Sequence, residues 1–300
     1  RSRRDGGSLA AARAHGDTAA MNAEPLILTV APNGADKSTA DHAALPITPD
    51  ALAATARASL EAGAAMLHLH VRQPDGQHSL RADDYRAAQA AIRAAVGQSL
   101  VVQVTTEAAG RYAPPAQMAV VRELRPEAVS VGLRELDRPG GADLGTLAAF
   151  FGWLLEAGVM TQVILYDAAD VARWNALRAQ GVIPPGPWFL LFVLGRYRTG
   201  QTSEPADLLP FLQAWDGEHP WAVCAFGASE QRCALAAAAL GGHVRVGFEN
   251  NLRLADGALA PDNAALVRQV AQAVPLLGLR LATAGELRAR FSAPRRPAGR

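Results

Sequence analysis

From Leu26 onward, short β-branched or leucine-rich runs alternate with longer alanine-rich segments whose apolar positions recur at helical spacing. The runs at 26–31, 65–71, 100–105, 128–132, 159–166, 188–194, 221–226 and 243–247 predict strands. The stretches at 49–62, 81–95, 115–124, 144–157, 168–180, 205–215, 229–240 and 262–273 predict helices. The first helix carries its own punctuation, with Thr48 as N-cap, Pro49 at the first helical position and Gly63 at the stop. Strands that alternate with helices throughout imply a parallel sheet. Eight such units in about 250 residues predict a closed (β/α)8 TIM barrel of the α/β class. A short helical extension is expected at the C-terminus, from Thr283 to about Phe291.

An open dinucleotide-binding sheet would need a glycine-rich turn after an early strand. Asn33-Gly34-Ala35 is not GxGxxG, and no GxxxxGK[ST] run occurs. Residues 1–22, rich in Ala, Arg and Gly, carry no apolar core segment; they read as a disordered or non-native arm, leaving 23–300 as one barrel domain.

Composition narrows the function classes. The chain has 300 residues, 50% hydrophobic and 19% charged, with a formal net charge of +1. Near-neutral charge and few aromatics argue against nucleic acid. No apolar run reaches the roughly 20 residues of a membrane span. Cys224 and Cys233 sit in apolar surroundings without CxxC spacing, so buried free thiols and a cytoplasmic location are expected.

The second strand holds the sharpest chemical signal. In Leu67-His68-Leu69-His70-Val71-Arg72 the two histidines lie on one strand face, about 6.5–7 Å apart, close enough for their rings to lean onto one cation. Zn²⁺ accepts neutral imidazole, and catalytic zinc sites commonly have three protein ligands. A solvent-facing or hydrogen-bonded strand face is the plainer alternative. Active sites of these barrels lie at the carboxyl ends of the strands. That rule collects His68 and His70 from strand two, Thr105 and Thr106 from strand three, Ser130 and Gly132 from strand four, Asp167 from strand five, and Arg245 with Glu249 from strand eight. Strands one and eight adjoin in a closed barrel, which brings Asp36 near Glu249. A carboxylate from Glu249 completes a His₂Glu set; otherwise it is an acid at a helix N-terminus. Arg245 between Val244 and Val246 needs an anionic ligand or an ion pair with Asp36 or Glu249. Thr105, Thr106 and Ser130 either meet substrate or return their hydroxyls to the backbone. His42 and His78 in loops either overhang the mouth or are simply exposed, and Tyr197 and Arg198 either grip a large substrate or stand solvated.

The chain resembles the zinc-dependent β-keto acid cleavage enzymes, of which 3-keto-5-aminohexanoate cleavage enzyme is an example. The resemblance runs from Leu26 to Phe291. It is carried by Asn33-Gly34-Ala35-Asp36, Leu45-Pro46-Ile47-Thr48-Pro49, the Glu61-Ala62-Gly63-Ala64 turn into HLHVR, the VSVG strand end, and His243-Val244-Arg245-Val246-Gly247-Phe248-Glu249-Asn250-Asn251-Leu252. It implies a (β/α)8 barrel, commonly a homotetramer, with Zn²⁺ on His68, His70 and Glu249. It also implies a reaction of a β-keto acid with acetyl-CoA that yields acetoacetate and a new acyl-CoA. Arg245, Asp36 and Asn250 would fall at catalytic positions, with Thr105, Thr106, Ser130, Gly132 and Arg72 toward substrate. Another zinc barrel hydrolase or aldolase that uses no CoA, and a metal-dependent binding protein without turnover, stand as alternatives.

Four positions depart from the family pattern. Asn250 replaces an aspartate credited with proton handling, and an amide is no general base. Asp36 replaces glutamate, Gln73 replaces an aspartate, and Gln162-Val163-Ile164-Leu165 replaces a strand with two glutamates. The last change leans toward a neutral or apolar substrate. If the family's proton chemistry survives, Asn250→Asp is expected to raise turnover.

Overall fold

A computed structural model describes residues 24–137 and 140–291. The arm expected over residues 1–22 lies outside them. The strands are β1 (Leu28–Val30), β2 (Met66–Leu69), β5 (Val101–Thr105), β6 (Ala128–Gly132), β7 (Met160–Leu165), β8 (Phe189–Leu194), β9 (Trp221–Ala225) and β10 (His243–Val246). They close in the order β1-β10-β9-β8-β7-β6-β5-β2 with every neighbour parallel. The expected TIM barrel is therefore present.

Alternation along the strands sorts their side chains into two cores. Leu28, Val30, Leu67, Val102, Val104, Val129, Val131 and Phe192 point outward and pack under the helical ring. Ile27, Met66, Val101, Met160, Phe189 and Cys224 point inward and fill the base of the barrel. The helices are α1 (Pro49–Glu61), α2 (Ala82–Val96), α3 (Pro114–Leu124), α4 (Leu133–Leu136), α5 (Leu144–Glu156), α6 (Ala168–Ala179), α7 (Leu209–Ala214), α8 (Glu230–Ala239), α9 (Asn263–Ala273) and α10 (Ala284–Phe291). Thr48 caps α1 as its residue type dictates, its Oγ1 accepting from Ala51 N at 3.2 Å. The C-terminal extension is α10, whose Leu287 and Phe291 plug the interior; Phe291 stacks on Phe189 with ring centroids 4.9 Å apart.

Two elements differ from the sequence reading. The second strand was expected to run to Val71 but ends at Leu69, because the Asn33 side chain takes the His70 carbonyl that would have continued the ladder (3.1 Å). The chain then forms a small hairpin, β3 (Val71–Arg72) with β4 (His78–Ser79), beside the barrel mouth. The single-turn helix α4 after β6 carries too few residues for its apolar spacing to stand out from a loop.

Gly247 ends β10 where the chain must pass under β1. Its φ is +143°, and a Cβ there would stand 2.3 Å from the Ala31 carbonyl oxygen. The turn it permits carries Glu249, whose backbone N–H donates to that same oxygen at 3.1 Å. Gly247→Ala is expected to cost about 2 kcal/mol or more through strain and clash. Read by thermal melting, that is a loss of roughly 5 °C for a domain of this size.

Candidate metal centre and active site

β2, β10 and the loops after β1, β5, β6, β7 and β8 meet at the carboxyl end of the barrel. His68 and His70 are buried there, with ring nitrogens Nε2 facing each other at 3.1 Å. Glu249 Oε2 lies 3.5 Å from His68 Nε2 and 3.6 Å from His70 Nε2. The two rings lean together from neighbouring positions on one side of the chain, with centroids 4.9 Å apart, as the i, i+2 spacing allows.

Three observations fit this triad to a metal ion. Burial pushes the His68 imidazole down to about 4 and His70 well below its ordinary range, so both rings are neutral near pH 7. The Nδ1 of His68 lies 2.8 Å from Gln103 Oε1, an oxygen that can only accept, which leaves Nε2 with its lone pair turned to the centre. Nothing fixes the His70 tautomer, since its Nδ1 has no partner among the described residues; with its lone pair on Nε2, two ring nitrogens and Glu249 Oε2, itself without a hydrogen-bond partner there, face one another as a cation's ligands would. The two separations to Glu249 Oε2, 3.5 and 3.6 Å, fall on the edges of a tetrahedron with metal–ligand bonds of about 2.0–2.2 Å, roughly 3.3–3.6 Å, and the 3.1 Å between the ring nitrogens is shorter than such an edge. Among the described residues, this is the group of acids, histidines and cysteines able to share a metal.

Arg245 settles one open alternative. Its partners are Glu249 Oε1 and Cys224 Sγ, both at 3.2 Å from Nη2, whereas Asp36 is engaged elsewhere. Burial works against its charge, but Cys224 and Glu249 hold the guanidinium protonated. Its Nε and Nη1 are buried without partners among the described residues, and Arg245 lines a small chamber together with His68, Thr105, Gly132 and Glu249. Burial would raise the Glu249 carboxyl, yet Arg245 and His68 hold it below its ordinary value.

The other expected site residues divide. Thr105 and Gly132 line the chamber, and Thr105 Oγ1 also accepts from Glu107 N at 3.0 Å. The Ser130 hydroxyl is buried without a partner among the described residues. Thr106 Oγ1 returns to the Ser130 carbonyl (2.9 Å). Arg72 is half-buried and ties loops, donating to Gly34 O, Lys37 O and Gly76 O. Asp36, 65% exposed, stands at the rim of a second opening and pairs with Arg196 at 2.9 Å. Asn250 turns away from the chamber. Its Nδ2 donates to Glu230 Oε1 (3.2 Å), and its Oδ1 lies 3.4 Å from Cys224 Sγ. Asp167 caps α6 and pairs with Arg134.

The loop histidines are buried rather than exposed. His42 Nε2 lies 2.8 Å from the Ala260 carbonyl, and His78 Nε2 lies 3.0 Å from the Glu107 carbonyl, its ring 5.2 Å from that of His70. Arg198 is held by Asp207, whereas Tyr197 is 64% exposed. Both cysteines are buried free thiols.

Sequence reasoning passed over Glu107, Glu135, Arg196, Gln103 and Glu230. Glu107 lines the chamber with Oε2 3.7 Å from His70 Nε2, and burial beside Glu249 pushes its carboxyl up to about 7. Its place two residues past the end of β5 was the available signal. Glu230, fully buried at the start of α8, accepts from Gly247 N, Asn250 Nδ2 and Asn251 Nδ2; burial pushes it up to about 8. Gln162, which was read toward substrate, accepts instead from Gln103 Nε2 at 3.2 Å and so steadies the residue that orients His68.

A family model described as beta-keto acid cleavage enzyme matches residues 25–292. A 3-keto-5-aminohexanoate cleavage enzyme from Fusobacterium nucleatum is 30% identical over 274 residues, covering 88% of this chain and 97% of that protein. A 3-oxoadipate:acetyl-CoA acetyltransferase from Cupriavidus necator is 28% identical over 281 residues, covering 90% and 96%. Among solved structures, apo ObcA superposes with a TM-score of 0.68 at 19% identity, over 83% of this chain and 65% of that one, a likeness of fold. No helix among the described residues is long and apolar enough to cross a membrane.

Proposed function

The chain belongs to the beta-keto acid cleavage enzyme family, and from that premise we propose that it is a zinc-dependent transferase that cleaves a β-keto acid with acetyl-CoA. In this reaction the bond between the α-carbon and the keto carbon of the acid breaks. The released CH₂–COO⁻ fragment takes the acetyl group to give acetoacetate, and the remaining acyl group passes to the CoA sulfur. The observation that carries the reading is the convergence of His68, His70 and Glu249 with Arg245, whose Nε and Nη1 are unpartnered among the described residues.

His68, His70 and Glu249 would hold the metal, which when bound supplies Lewis-acid polarisation of substrate oxygens. Arg245 presents Nε and Nη1 to the substrate carboxylate, a charge-assisted fork in a buried setting. Thr105 and Gly132 shape the wall beside it. Asp36 and Glu107 flank Arg196, and Glu107 and Arg196 line both the chamber and the second opening, which places Glu107 among the carboxylates that a substrate in the chamber would meet. Names of relatives support the acetyl-CoA partner: one is a 3-oxoadipate:acetyl-CoA acetyltransferase, another a 3,5-dioxohexanoate:acetyl-CoA acetone transferase. A cytoplasmic homotetramer is the accompanying assembly.

The test is metal content by elemental analysis followed by a β-keto acid panel with and without acetyl-CoA. Acetoacetate formed only with acetyl-CoA and zinc supports the reading; zinc-dependent turnover that ignores CoA overturns it in favour of a hydrolase or aldolase. Arg245→Met is expected to lower kcat/KM by roughly 10²–10³, the scale of losing a preorganised charged donor. An unchanged rate would remove Arg245 from the chemistry.

A further inference from the structure

Of the chain's 29 lysine and arginine residues only one is a lysine, Lys37. It stands in the loop that follows β1, half-buried at the second opening, and its Nζ donates to the backbone carbonyl of Glu249 at 2.6 Å. Glu249 is thereby held through both of its backbone polar groups, since its N–H donates to the Ala31 carbonyl at 3.1 Å. The same loop touches the Glu249 side chain. Gly34, at φ +65°, packs so closely there that a Cβ would stand 2.8 Å from Glu249 Cγ. The loop also reaches the histidines: Asn33 Nδ2 donates to the His70 carbonyl at 3.1 Å, and Arg72, two residues past His70, donates to the Gly34 and Lys37 carbonyls. Residues 33–37 thus join the segment that carries both imidazoles to the turn that carries the carboxylate.

We propose that Lys37 is a positioning residue of the metal centre, its ammonium clamping the Gly247–Asn251 turn so that the Glu249 carboxylate meets His68 and His70 as their third ligand; the inference rests on the metal-dependent reading above. The rest of the turn is held from other sides. Gly247 N donates to Glu230 Oε1, Phe248 N to Asn263 Oδ1, and the Asn250 carbonyl receives Gly227 N. Those partners come from α8, α9 and the end of β9, whereas the carbonyl of the ligand residue itself is taken by a charged side chain from beyond β1. A lysine suits the task, because its compact ammonium on a flexible stem can close on one carbonyl, where a planar guanidinium presents a fork suited to two acceptors. A charged donor also makes that bond short and strong. The buried Phe226 ring backs the clamp, with Lys37 Nζ 6.0 Å from its centroid and the Arg196 guanidinium 5.4 Å from it. The sign of the effect separates a clamp from a mere charge. An ammonium this close to a bound cation repels it, so as a charge Lys37 opposes the metal, and as a clamp it favours it.

The test titrates Zn²⁺ into the metal-free full-length protein and its Lys37→Met variant in competition with a chromophoric chelator. Loss of the clamp is expected to weaken Zn²⁺ binding by about 10–100-fold, the scale of removing a partner that orients a metal ligand. Melting temperatures of the two metal-free proteins are expected to agree within about 2 °C, as for a substitution outside the core. The visible absorption of the Co²⁺-loaded variant is expected to differ from that of the wild type, which a change in general stability would not produce. With zinc saturating, the KM for the keto acid stays. Equal or tighter Zn²⁺ binding in the variant, beside a wild type that binds zinc, overturns the clamp and leaves the metal centre standing. A raised keto acid KM at unchanged zinc affinity makes Lys37 a substrate contact and overturns the clamp as well. A wild type that takes up no Zn²⁺ overturns the metal centre and the clamp together. If Lys37→Met does not fold, Lys37→Gln, whose side chain is one atom shorter than lysine, is measured in the same way and read by the same outcomes.

Discussion

His68→Ala and His70→Ala each yield a folded barrel that no longer retains stoichiometric metal after dialysis and loses at least roughly 10³ in kcat/KM. The magnitude follows from losing several kcal/mol of charge stabilisation at a Lewis-acid centre. The structural reason is that neither ligand has a substitute in place. His68 Nδ1 is committed to Gln103, which is itself held by Gln162, so only Nε2 serves the centre. Glu107 stands 3.7 Å from His70 Nε2 but is divided between that ring and Arg196. Both imidazoles are neutral, so removing one leaves no unpaired buried charge of its own, and the fold survives. Elemental analysis after dialysis, with circular dichroism as the folding control, reads the outcome. Stoichiometric zinc in both variants would falsify the metal centre. Gln103→Ala, which removes only the orienting partner, is expected to weaken metal binding by about 10–100-fold.

Asn250→Asp lowers both stability and turnover, against the sequence expectation that an acid there restores family chemistry. Asn250 does not face the chamber; its amide donates to Glu230 Oε1 and, at 3.4 Å, to the Arg245 carbonyl. An aspartate would turn carboxylate oxygens toward both acceptors. The loss is about 3 kcal/mol, the scale of a buried charge stripped of its partner, or roughly 10 °C in Tm. The pH dependence has a definite sign. Burial raises Glu230 to about 8 in the folded protein, above its unfolded value, so the folded state binds the extra proton. Stability therefore falls as pH rises from about 4.5 to about 8. In the variant the two carboxyls share that proton, and the Tm deficit grows from pH 6 to pH 8. Glu230→Gln in the Asn250→Asp background returns a donor to the pair and recovers most of the loss. Equal melting of Asn250→Asp and wild type at pH 8 would show that the two side chains are not coupled.

The same pair shows where sequence reading stops. Asn250 was marked by comparison with a motif, but Glu230 lies 20 positions away and at the head of a helix, where an acid is ordinary on dipole grounds. Nothing in the local pattern says that this acid is buried or that it accepts from the Gly247–Asn251 turn. Glu107 escaped notice for a related reason: a polar residue after a strand reads as loop until the barrel closes over it. His42 and His78 were left between overhanging the mouth and standing exposed, because loop position is a statement about backbone and not about the Ala260 and Glu107 carbonyls that receive their rings.

What the sequence determined by itself is what local periodicity and residue chemistry encode. The alternation of eight apolar runs with amphipathic segments dictates a parallel barrel, because no other closed arrangement buries strands on both faces with short connections. The HLHVR strand and the order of strand ends name His68, His70, Glu249 and Arg245, since barrel topology brings successive strand ends to one mouth. What only the tertiary structure decided is the partnership of each side chain. Asn33 takes the His70 carbonyl where the second strand ends, and the two histidine rings meet with nitrogens 3.1 Å apart. Arg245 goes to Glu249 and Cys224, Asp36 goes to Arg196, and Asn250 goes to Glu230. Those choices are made between residues distant along the chain, by burial that demands a partner for every polar atom, and a one-dimensional pattern carries no distance from which to read them.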